Sequence, residues 1–471
     1  MNKNNMKTVG ILGIESPYAT AMFFKNILDL TPAKKAKDRF RIIIDNNPHI
    51  PCSLHTFLNG EESPVQAMIE SCKSLSSHSV DFIVLPSNNA AHFLPEVRKS
   101  IKTPILDVIK ITSDALHDKY PDLKYVAVLG GILTNQCQTY KTTLEKKRIK
   151  IYQYDKQVNV KILSLIEELK SGKHPDELRQ IFISIIQDLK NHNVEGIILA
   201  SSELTVFKNE NTGLPLVDSS YVLAAELVQI ALSQKMIPLD MDGVYAFWEK
   251  RSKLLSDGEV SDYQSTLLTI NKEAAEQRNT FEKDKIVNVI NQYRDKFKGV
   301  AIEYGCGVGR ITEVLATFFE RVDGIDYCSE FIEKARKNAT VNNINNVRYS
   351  VSSIDEFMPD EKYDCAICSG IIEYQDENQF LRLVSSIDNS LKQTGVCLLR
   401  ESVGFQKRFE LHGFFSSVLS SPYNAVYRTS EEIVYEFSKY GFSLIHEEIT
   451  LPNTPDKPET CQKILLLEKH R

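Results

Sequence analysis

A glycine-rich turn between an apolar strand and a helix is the feature of this chain that most directly indicates chemistry. Residues 301–310 read Ala-Ile-Glu-Tyr-Gly-Cys-Gly-Val-Gly-Arg, and the run Val-Asp-Gly-Ile-Asp at 322–326 follows about one βα unit later. Glycines let the main chain approach a bound ligand closely, and an acid at the end of the next strand can bind ribose hydroxyls. The pattern predicts a nucleoside site.

The spacing within the turn distinguishes between nucleosides. A dinucleotide-binding turn has the spacing G-x-G-x-x-G and places a pyrophosphate on the helix N-terminus. Here Gly305, Gly307 and Gly309 alternate with other residues, and Glu303 precedes them. A carboxylate at that place would repel a pyrophosphate but attract an ammonium or sulfonium group. The motif therefore favours a cationic nucleoside over NAD.

Three regions follow from the pattern along the chain. Residues 7–235 alternate buried strand patterns, such as 9–13, 82–85 and 196–200, with helical periodicity, which predicts a two-lobed α/β domain. Residues 236–295 are charged and poor in strand patterns, and we expect helices there that link two domains or cover an active site. Residues 296–471 return to βα alternation and predict a Rossmann-like domain with a mostly parallel sheet. The sequence shows no internal repeat.

Composition excludes several classes of function. The 471 residues carry a formal net charge of -6 and no long basic run, so we expect no nucleic-acid or membrane partner. No stretch approaches the roughly 20 apolar residues of a membrane helix, and the polar start lacks a signal-peptide core. Nine scattered cysteines suit a reducing compartment, which predicts a cytoplasmic protein. The lone pair Cys365 and Cys368 lies in a strand pattern, so we expect no metal site.

The C-terminal region resembles the class I S-adenosylmethionine-dependent methyltransferases over roughly residues 290–450. The resemblance rests on the glycine turn, on Asp326-Tyr327, on the run at 352–355 and on a fourth strand at 363–370. It implies S-adenosylmethionine as cofactor. By the same resemblance, Glu303 and the three glycines face its methionine part and Asp326 its ribose. Ser353 and Ile354 border the adenine, although family members often have Asp at the position of Ser353. The predicted cofactor residues are completed by Tyr327 and by Ser369 of the fourth strand.

Residues after the fourth and fifth predicted strands are candidates for positioning a methyl acceptor. Glu373 could act as a base or bind a substrate amine, with Tyr374 beside it. Arg400, or Arg428 together with Tyr427, could clamp a substrate carboxylate through a bidentate contact. Arg428 could equally be a charge flanking a helix, because the sequence from Thr429 reads as a helix N-cap. Helices around 247–251 and 277–282 resemble those that cover the active site of small-molecule methyltransferases, with interdomain packing as the alternative.

The first 235 residues resemble the aspartate/glutamate racemase family nearly end to end. The resemblance is carried by the opening strand with its loop at 16–20, the loop at 45–51, and two loops containing Ser87 and Ser201. The family has cysteine at both of these serine positions and uses the two thiols as a proton-transferring pair. A serine hydroxyl is far harder to ionise than a thiol. The family's carboxylate-binding arginine is replaced by Ser53, whereas Lys170 matches a family lysine.

The loss of both cysteines and of the arginine makes two-base racemisation doubtful. Two roles then remain for this domain: a binding pocket for a small carboxylate, or a purely structural relic. The residues that would form the pocket are Asn46, Ser87, Asn88, Asn89, Lys170, Ser201 and Ser202. Racemase relatives commonly pair through this domain, so the resemblance also implies a homodimer.

Three functions are compatible with these features. The favoured one is S-adenosylmethionine-dependent methylation of a small molecule, an amino acid or a related carboxylate, with an amine slightly favoured as acceptor. In it, the N-terminal domain binds a ligand or acts as a scaffold. The second is a bifunctional racemase and methyltransferase, and the third is a ligand-binding sensor without catalysis.

Overall fold

The computed structural model describes residues 6–14, 16–51, 60, 62–136, 139–268, 271–416, 419, 421–455 and 457–470. The chain divides into two compact units, Met1–Ile237 and Pro238–Arg471. Both are α/β, which confirms the predicted fold class. Among the described residues, no helix combines the length and the apolar character that crossing a membrane requires.

The described part of the first unit contains eight parallel strands in two sheets, with helices between them. Its strands are β1 (Val9–Gly13), β2 (Ile42–Asn46), β3 (Phe82–Val84), β4 (Ile105–Leu106), β5 (Tyr125–Gly130), β6 (Lys150–Ile151), β7 (Gly196–Ala200) and β8 (Leu216–Asp218). Its helices are α1 (Pro17–Leu30), α2 (Val65–Ser77), α3 (Leu94–Arg98), α4 (Val108–Lys119), α5 (Ile132–Gln136), α6 (Lys141–Lys146), α7 (Lys156–Lys170), α8 (Pro175–Asn191) and α9 (Ser219–Ala231). Strands such as β1 and β7 are apolar and buried along their whole length because helices cover both faces of a parallel sheet.

The two sheets of the first unit repeat one topology. Their strand orders are β2-β1-β3-β4 and β6-β5-β7-β8. Ile83 pairs with the first residue of β4 and Ile197 with the first residue of β8. Ser87 and Ser201 each follow four residues later, so they occupy equivalent positions in the two halves. The repeat escapes sequence inspection because it is one of topology and register, not of residue identity.

The second unit begins with three helices and continues as a seven-stranded sheet. Its helices are α10 (Met241–Ser256), α11 (Asp262–Leu267), α12 (Lys272–Gln292), α13 (Thr312–Leu315), α14 (Ser329–Val341), α15 (Glu377–Ser390) and α16 (Ser430–Ser438). Its strands are β9 (Val300–Tyr304), β10 (Arg321–Asp326), β11 (Val347–Val351), β12 (Tyr363–Ser369), β13 (Leu391–Gly404), β14 (Phe409–Ser416), β15 (Ser421–Tyr427), β16 (Phe442–Leu451) and β17 (Thr460–Lys469).

The large sheet has the order β11-β10-β9-β12-β13-β17-β16, and β14 pairs with β15 as a separate hairpin. Strands β9 to β13 run parallel, whereas β17 is antiparallel to both of its neighbours. The strand order reverses at β9, since β10 lies on one side and β12 on the other. Such a switch point creates a crevice at the carboxyl ends of the strands, where ligands of open α/β sheets bind.

Candidate active site

A pocket of the second unit lies at this switch point, at the carboxyl ends of β9, β10 and β12. Nine of the residues predicted from the sequence line it: Glu303, Gly305, Gly307, Asp326, Tyr327, Ser353, Ile354, Ser369 and Tyr374. Five others lie outside its lining: Gly309, Glu373, Arg400, Tyr427 and Arg428. The fold thus brings together eight of the nine residues predicted for the cofactor, but of the five predicted for the acceptor only Tyr374.

The glycine turn has a left-handed main chain at all three glycines, with φ values of 67°, 53° and 79°. A Cβ on Gly305 would overlap the side chain of Ile371, and one on Gly307 would lie 3.0 Å from Thr266. A Cβ on Gly309 would instead overlap the hydroxyl of Tyr349. All three glycines therefore allow close packing, Gly305 and Gly307 against the pocket-lining residues Ile371 and Thr266, and Gly309 against Tyr349.

Two buried carboxyl groups flank the turn. Glu303 is 2% exposed, and its Oε2 accepts a hydrogen bond from the Thr312 hydroxyl at 2.5 Å. Asp326 accepts main-chain hydrogen bonds from Gly307 at 3.0 Å and from Cys328 at 2.9 Å. Burial raises the pKa of Glu303 to about 7 and that of Asp326 to about 6. A ligand that brings a positive charge or hydroxyl donors would stabilise their ionised forms.

Arg310, which was not among the predicted site residues, also lines this pocket. It is 7% exposed, and its Nη2 pairs with Glu282 at 2.9 Å. Its Nη1 has no hydrogen-bond partner among the described residues. The Arg310 charge also lowers the pKa of Glu303, against the larger effect of burial. A guanidinium and a carboxylate facing one pocket match the two charges of an amino-acid end group. The sequence signal that could have identified Arg310 is its position directly after the third glycine of the turn.

Helices α10 and α11, within the segment predicted as linker or cover, supply part of the pocket wall. Tyr245 and Trp248 lie on α10 and Thr266 lies on α11. The Trp248 ring meets the Tyr374 ring edge to face at 5.0 Å. Gln379 donates a hydrogen bond to the Tyr245 hydroxyl at 2.6 Å, and its Oε1 is buried without a partner among the described residues. The segment belongs to the second compact unit.

The two arginines predicted to clamp substrate are already engaged. Arg400 is 4% exposed and donates to Glu282 and, at 2.7 Å, to Gln462. Arg428 is 1% exposed and donates to the main-chain oxygens of residues 372, 375 and 376 at 3.1–3.2 Å. Arg428 therefore holds the loop after β12 in place, and the structure does not bring it to the pocket. The adjacent Thr429 caps α16 in a capping box with Glu432, as its sequence predicts.

Two other residues predicted to position the methyl acceptor, Tyr427 and Glu373, lie close behind the pocket wall. The Tyr427 hydroxyl donates to Tyr423 at 3.4 Å, and Tyr423 shares a 2.7 Å hydrogen bond with Tyr374. Glu373 is 5% exposed and directly precedes the pocket residue Tyr374.

In the first unit, the loop after β3 contacts the segments that follow β5 and β8, and the loop after β7 lies at the carboxyl end of its own sheet. Asn88 donates to Ser219 at 3.0 Å, and Asn89 accepts from Thr134 at 3.1 Å. The hydroxyls of Ser201 and Ser202 both donate to Glu203, at 2.6 and 3.2 Å. The Ser87 hydroxyl accepts from the main-chain N–H of residue 90 at 3.2 Å. The loops carry hydroxyl, amide and carboxylate groups, and their role as a binding pocket stays a prediction.

The remaining predictions for this domain have separate outcomes. Asn46 ends β2 beside Gly13, and its Oδ1 is buried without a hydrogen-bond partner among the described residues. Lys170 lies at the exposed end of α7, where it pairs with Glu167 at 3.0 Å, and its place in a pocket stays a prediction. Ser53 lies outside the described residues.

With this geometry in place, family models identify both units. Residues 11–227 match the model described as Asp/Glu/Hydantoin racemase, and residues 296–469 match the model described as Methyltransferase domain. The chain therefore carries a racemase-family domain followed by a methyltransferase domain, which confirms both resemblances found in the sequence. The correspondence of Ser87 and Ser201 to the catalytic cysteines of that family stays a prediction.

Individual relatives are distant. The Broad specificity amino-acid racemase RacX of Bacillus subtilis (strain 168) is 25% identical over 230 residues, 48% of this chain and 98% of that protein. Alpha N-terminal protein methyltransferase 1 of Dictyostelium discoideum is 23% identical over 158 residues, 33% of this chain, so the chain spans 55% of that relative's length. The solved structure of Picrophilus torridus aspartate racemase is 28% identical and covers 48% of this chain and 94% of that one, with a TM-score of 0.43.

Proposed function

We propose that this protein transfers the methyl group of S-adenosylmethionine to a small molecule, an amino acid or a related carboxylate. The observation that carries the proposal is the pairing of opposite charges in the pocket beside a bare glycine turn. Glu303 and Arg310 both line the pocket, and Asp326 stands at the end of the next strand. A ligand with an amino-acid end and a ribose would satisfy all three groups.

The pocket residues fit the cofactor from end to end. Arg310 would receive the methionine carboxylate on its unpartnered Nη1, and Glu303 would receive the ammonium group. Asp326 would accept the ribose hydroxyls. Tyr327, Ser353 and Ile354 would surround the adenine, and the Ser369 hydroxyl, buried without a partner among the described residues, would gain one.

The main task of the protein in this reaction is to position the methyl acceptor. When bound, the cofactor supplies a methyl group already activated by its sulfonium. The residues of the pocket must then orient an acceptor atom in line with that methyl group and exclude water. Trp248, Tyr374 and Tyr245 form an aromatic wall that can do both. Tyr374 and Glu373 are our candidates for contacting the acceptor.

For the racemase-family domain we propose a binding or scaffolding role. Ser201 is committed as a hydrogen-bond donor to Glu203, and a hydroxyl so placed remains a poor acid at neutral pH. The bifunctional alternative predicts exchange of the α-proton of amino acids. Incubation with amino acids in deuterated water tests it, since deuterium at the α-carbon would establish racemase or isomerase chemistry.

The main test uses the purified full chain, labelled S-adenosylmethionine and amino acids of both chiralities, read by mass spectrometry. We expect cofactor binding in calorimetry and transfer of the label to at least one amino acid or related carboxylate. Binding without transfer across the panel would favour the sensor alternative. No binding at all would refute the proposal.

A further inference from the structure

A group of buried polar side chains lies directly behind Gly370 in the pocket wall. Gly370 has a φ of 73°, and a Cβ built there would lie 3.6 Å from Arg400 Nη1 and 3.9 Å from Glu373 Oε1. Glu373 and Arg400 do not themselves line the pocket. The bare main chain of Gly370 is therefore a window between the pocket and these two charged groups.

Glu373 meets a second carboxyl group behind this window. Glu401 is 0% exposed, and its oxygens accept main-chain hydrogen bonds from Gly370 at 3.2 Å and from Ile371 and Ile372 at 3.1 Å each. Burial and the adjacent Glu373 carboxylate raise the pKa of Glu401 well above its ordinary value. Burial and the neighbouring carboxylate both favour a protonated Glu401, which can share its proton with Glu373.

One oxygen of this pair lacks a donor. Glu373 Oε2 is buried and has no hydrogen-bond partner among the described residues. Tyr374 and Tyr423 bond each other, and Arg400 Nη2 bonds Glu282 and Gln462, whereas Arg400 Nε is also buried without a partner among the described residues. A buried oxygen without a donor costs about 1–3 kcal/mol. A ligand that carries a donor, preferably a charged one, would remove that cost.

We propose that the methyl acceptor is an amine whose ammonium group binds Glu373 through the Gly370 window and gives its proton to that carboxylate. This deepens the proposed function and rests on it. An N–H bond of the ammonium breaks and its proton goes to the Glu373 carboxylate. The nitrogen lone pair then forms the new N–C bond, and the electron pair of the breaking C–S bond goes to sulfur. Glu373 is the catalytic residue, and Glu401 positions it and holds the shared proton.

The acceptor atom is tested with matched substrates. The probes are the amino acids of both chiralities and the corresponding 2-hydroxy acids, which replace the amine by a hydroxyl. We expect the label on the nitrogen of an amino acid and none on its hydroxy counterpart. Label on oxygen or carbon, or transfer to no amino acid despite cofactor binding, overturns the inference. Failure of the cofactor to bind refutes the proposed function instead.

The window is tested with a pair of glycine substitutions. Gly370→Ala places a methyl group between the pocket and Glu373, whereas Gly258→Ala imposes the same strain at a φ of 76° with no atom within 4 Å. We expect Gly370→Ala to raise the KM of the amine or to abolish transfer, and Gly258→Ala to leave both kcat and KM unchanged. Equal kinetics in the two variants would overturn the window.

The carboxyl pair is tested by kinetics and, without any substrate, by spectroscopy. We expect Glu373→Gln to lower kcat by about 100-fold, the usual scale of a lost general base, with cofactor affinity retained. Infrared spectroscopy of the free protein at pH 8 should show a buried protonated carboxyl band that is lost in Glu401→Gln. Glu373→Gln should shift the frequency of this band, whereas a Glu401 that is protonated without contact to Glu373 would give the same band in both proteins. Its absence in the wild type would overturn the shared proton, whether or not an acceptor is found.

Discussion

The carboxyl group of Glu303 gives the sharpest prediction, because burial there conflicts with charge. Glu303 is 2% exposed and its pKa lies near 7 in the free protein, against an ordinary value of 4.5. The substitution Glu303→Gln keeps the shape of the protonated carboxyl group and removes the titration. The hydroxyl of Thr312 can still donate to the amide oxygen of the new side chain.

The sign of the effect follows from proton linkage. Because the pKa of Glu303 is higher in the folded chain than in the unfolded one, the folded chain binds more protons between about pH 4.5 and pH 7. Stability contributed by this group is therefore present below pH 4.5 and lost as the pH rises through 7. The shift from 4.5 to about 7 corresponds to about 3 kcal/mol. Glu303→Gln should stabilise the free protein by up to that amount at pH 8 and hardly at all at pH 4.5.

Trp248 allows the unfolding free energy of the second unit to be measured separately from that of the first. It is the sole tryptophan of the sequence and lies in the wall of the pocket. Urea unfolding followed by tryptophan fluorescence therefore reports the second unit. The free energies of unfolding of wild type and Glu303→Gln are compared at pH 5 and pH 8, without ligand.

The affinity for the ligand should have the opposite pH dependence to the stability of the free protein. Ionised Glu303 attracts an ammonium group, so the affinity of the wild type for S-adenosylmethionine should rise with pH, by up to about tenfold per unit below pH 7. The variant should bind more weakly at pH 8 and lose this slope. The control ligand 5′-methylthioadenosine lacks the amino-acid end, and Glu303→Gln should not weaken its binding.

Two results would refute this reasoning. If the variant is no more stable than the wild type at pH 8, the buried carboxyl group is not the source of the pH dependence. If both proteins bind S-adenosylmethionine with the same pH slope, Glu303 does not face the charged end of the ligand.

Three further predictions concern other parts of the chain. Asp326→Ala and Gly305→Val should abolish S-adenosylmethionine binding in calorimetry, through loss of the ribose acceptor and overlap with Ile371 respectively. Ser87→Ala should leave methyl transfer within about twofold, since that hydroxyl lies in the racemase-family domain, and a large loss in transfer assays would couple the two domains. Arg428→Met should destabilise the second unit in urea by about 3–5 kcal/mol, because Glu377 and three main-chain oxygens lose a buried donor; an unchanged midpoint would contradict the structural role.

Much of the fold could be predicted from local signals. Apolar runs such as those of β1 and β7 are buried on both faces, so hydrophobicity alone marks them as strands of parallel sheets. The helix after Asp155 begins with an N-cap and is followed by Gly172 with a φ of 90°. The shared topology of the two four-stranded sheets in the first unit could not be predicted from the sequence. It depends on which strands pair and in what register.

The same distinction between local and long-range signals applies to the residues of the site. Residues that follow a motif, such as Gly305 or Asp326, are placed by neighbours in sequence and were found. For Arg428 the sequence left a substrate clamp and a helix-flanking charge open, because its contacts to the loop at 372–376 come from a distant part of the chain. Trp248 and Thr266 reach the pocket by the packing of helices, which a single sequence does not specify.

Glu282 shows why the helices before the sheet are more than a connection. It lies on α12 and its carboxylate pairs with Arg278 at 2.8 Å, with Arg310 at 2.9 Å and with Arg400. These guanidinium groups outweigh the effect of burial and lower its pKa to about 2, so it stays ionised throughout the working pH range. Arg310 faces the pocket beside the glycine turn, and Arg400 lies behind the Gly370 window. One carboxylate therefore fixes the charged group proposed for the cofactor end and the one beside the proposed acceptor base, which makes α12 a structural part of both subsites.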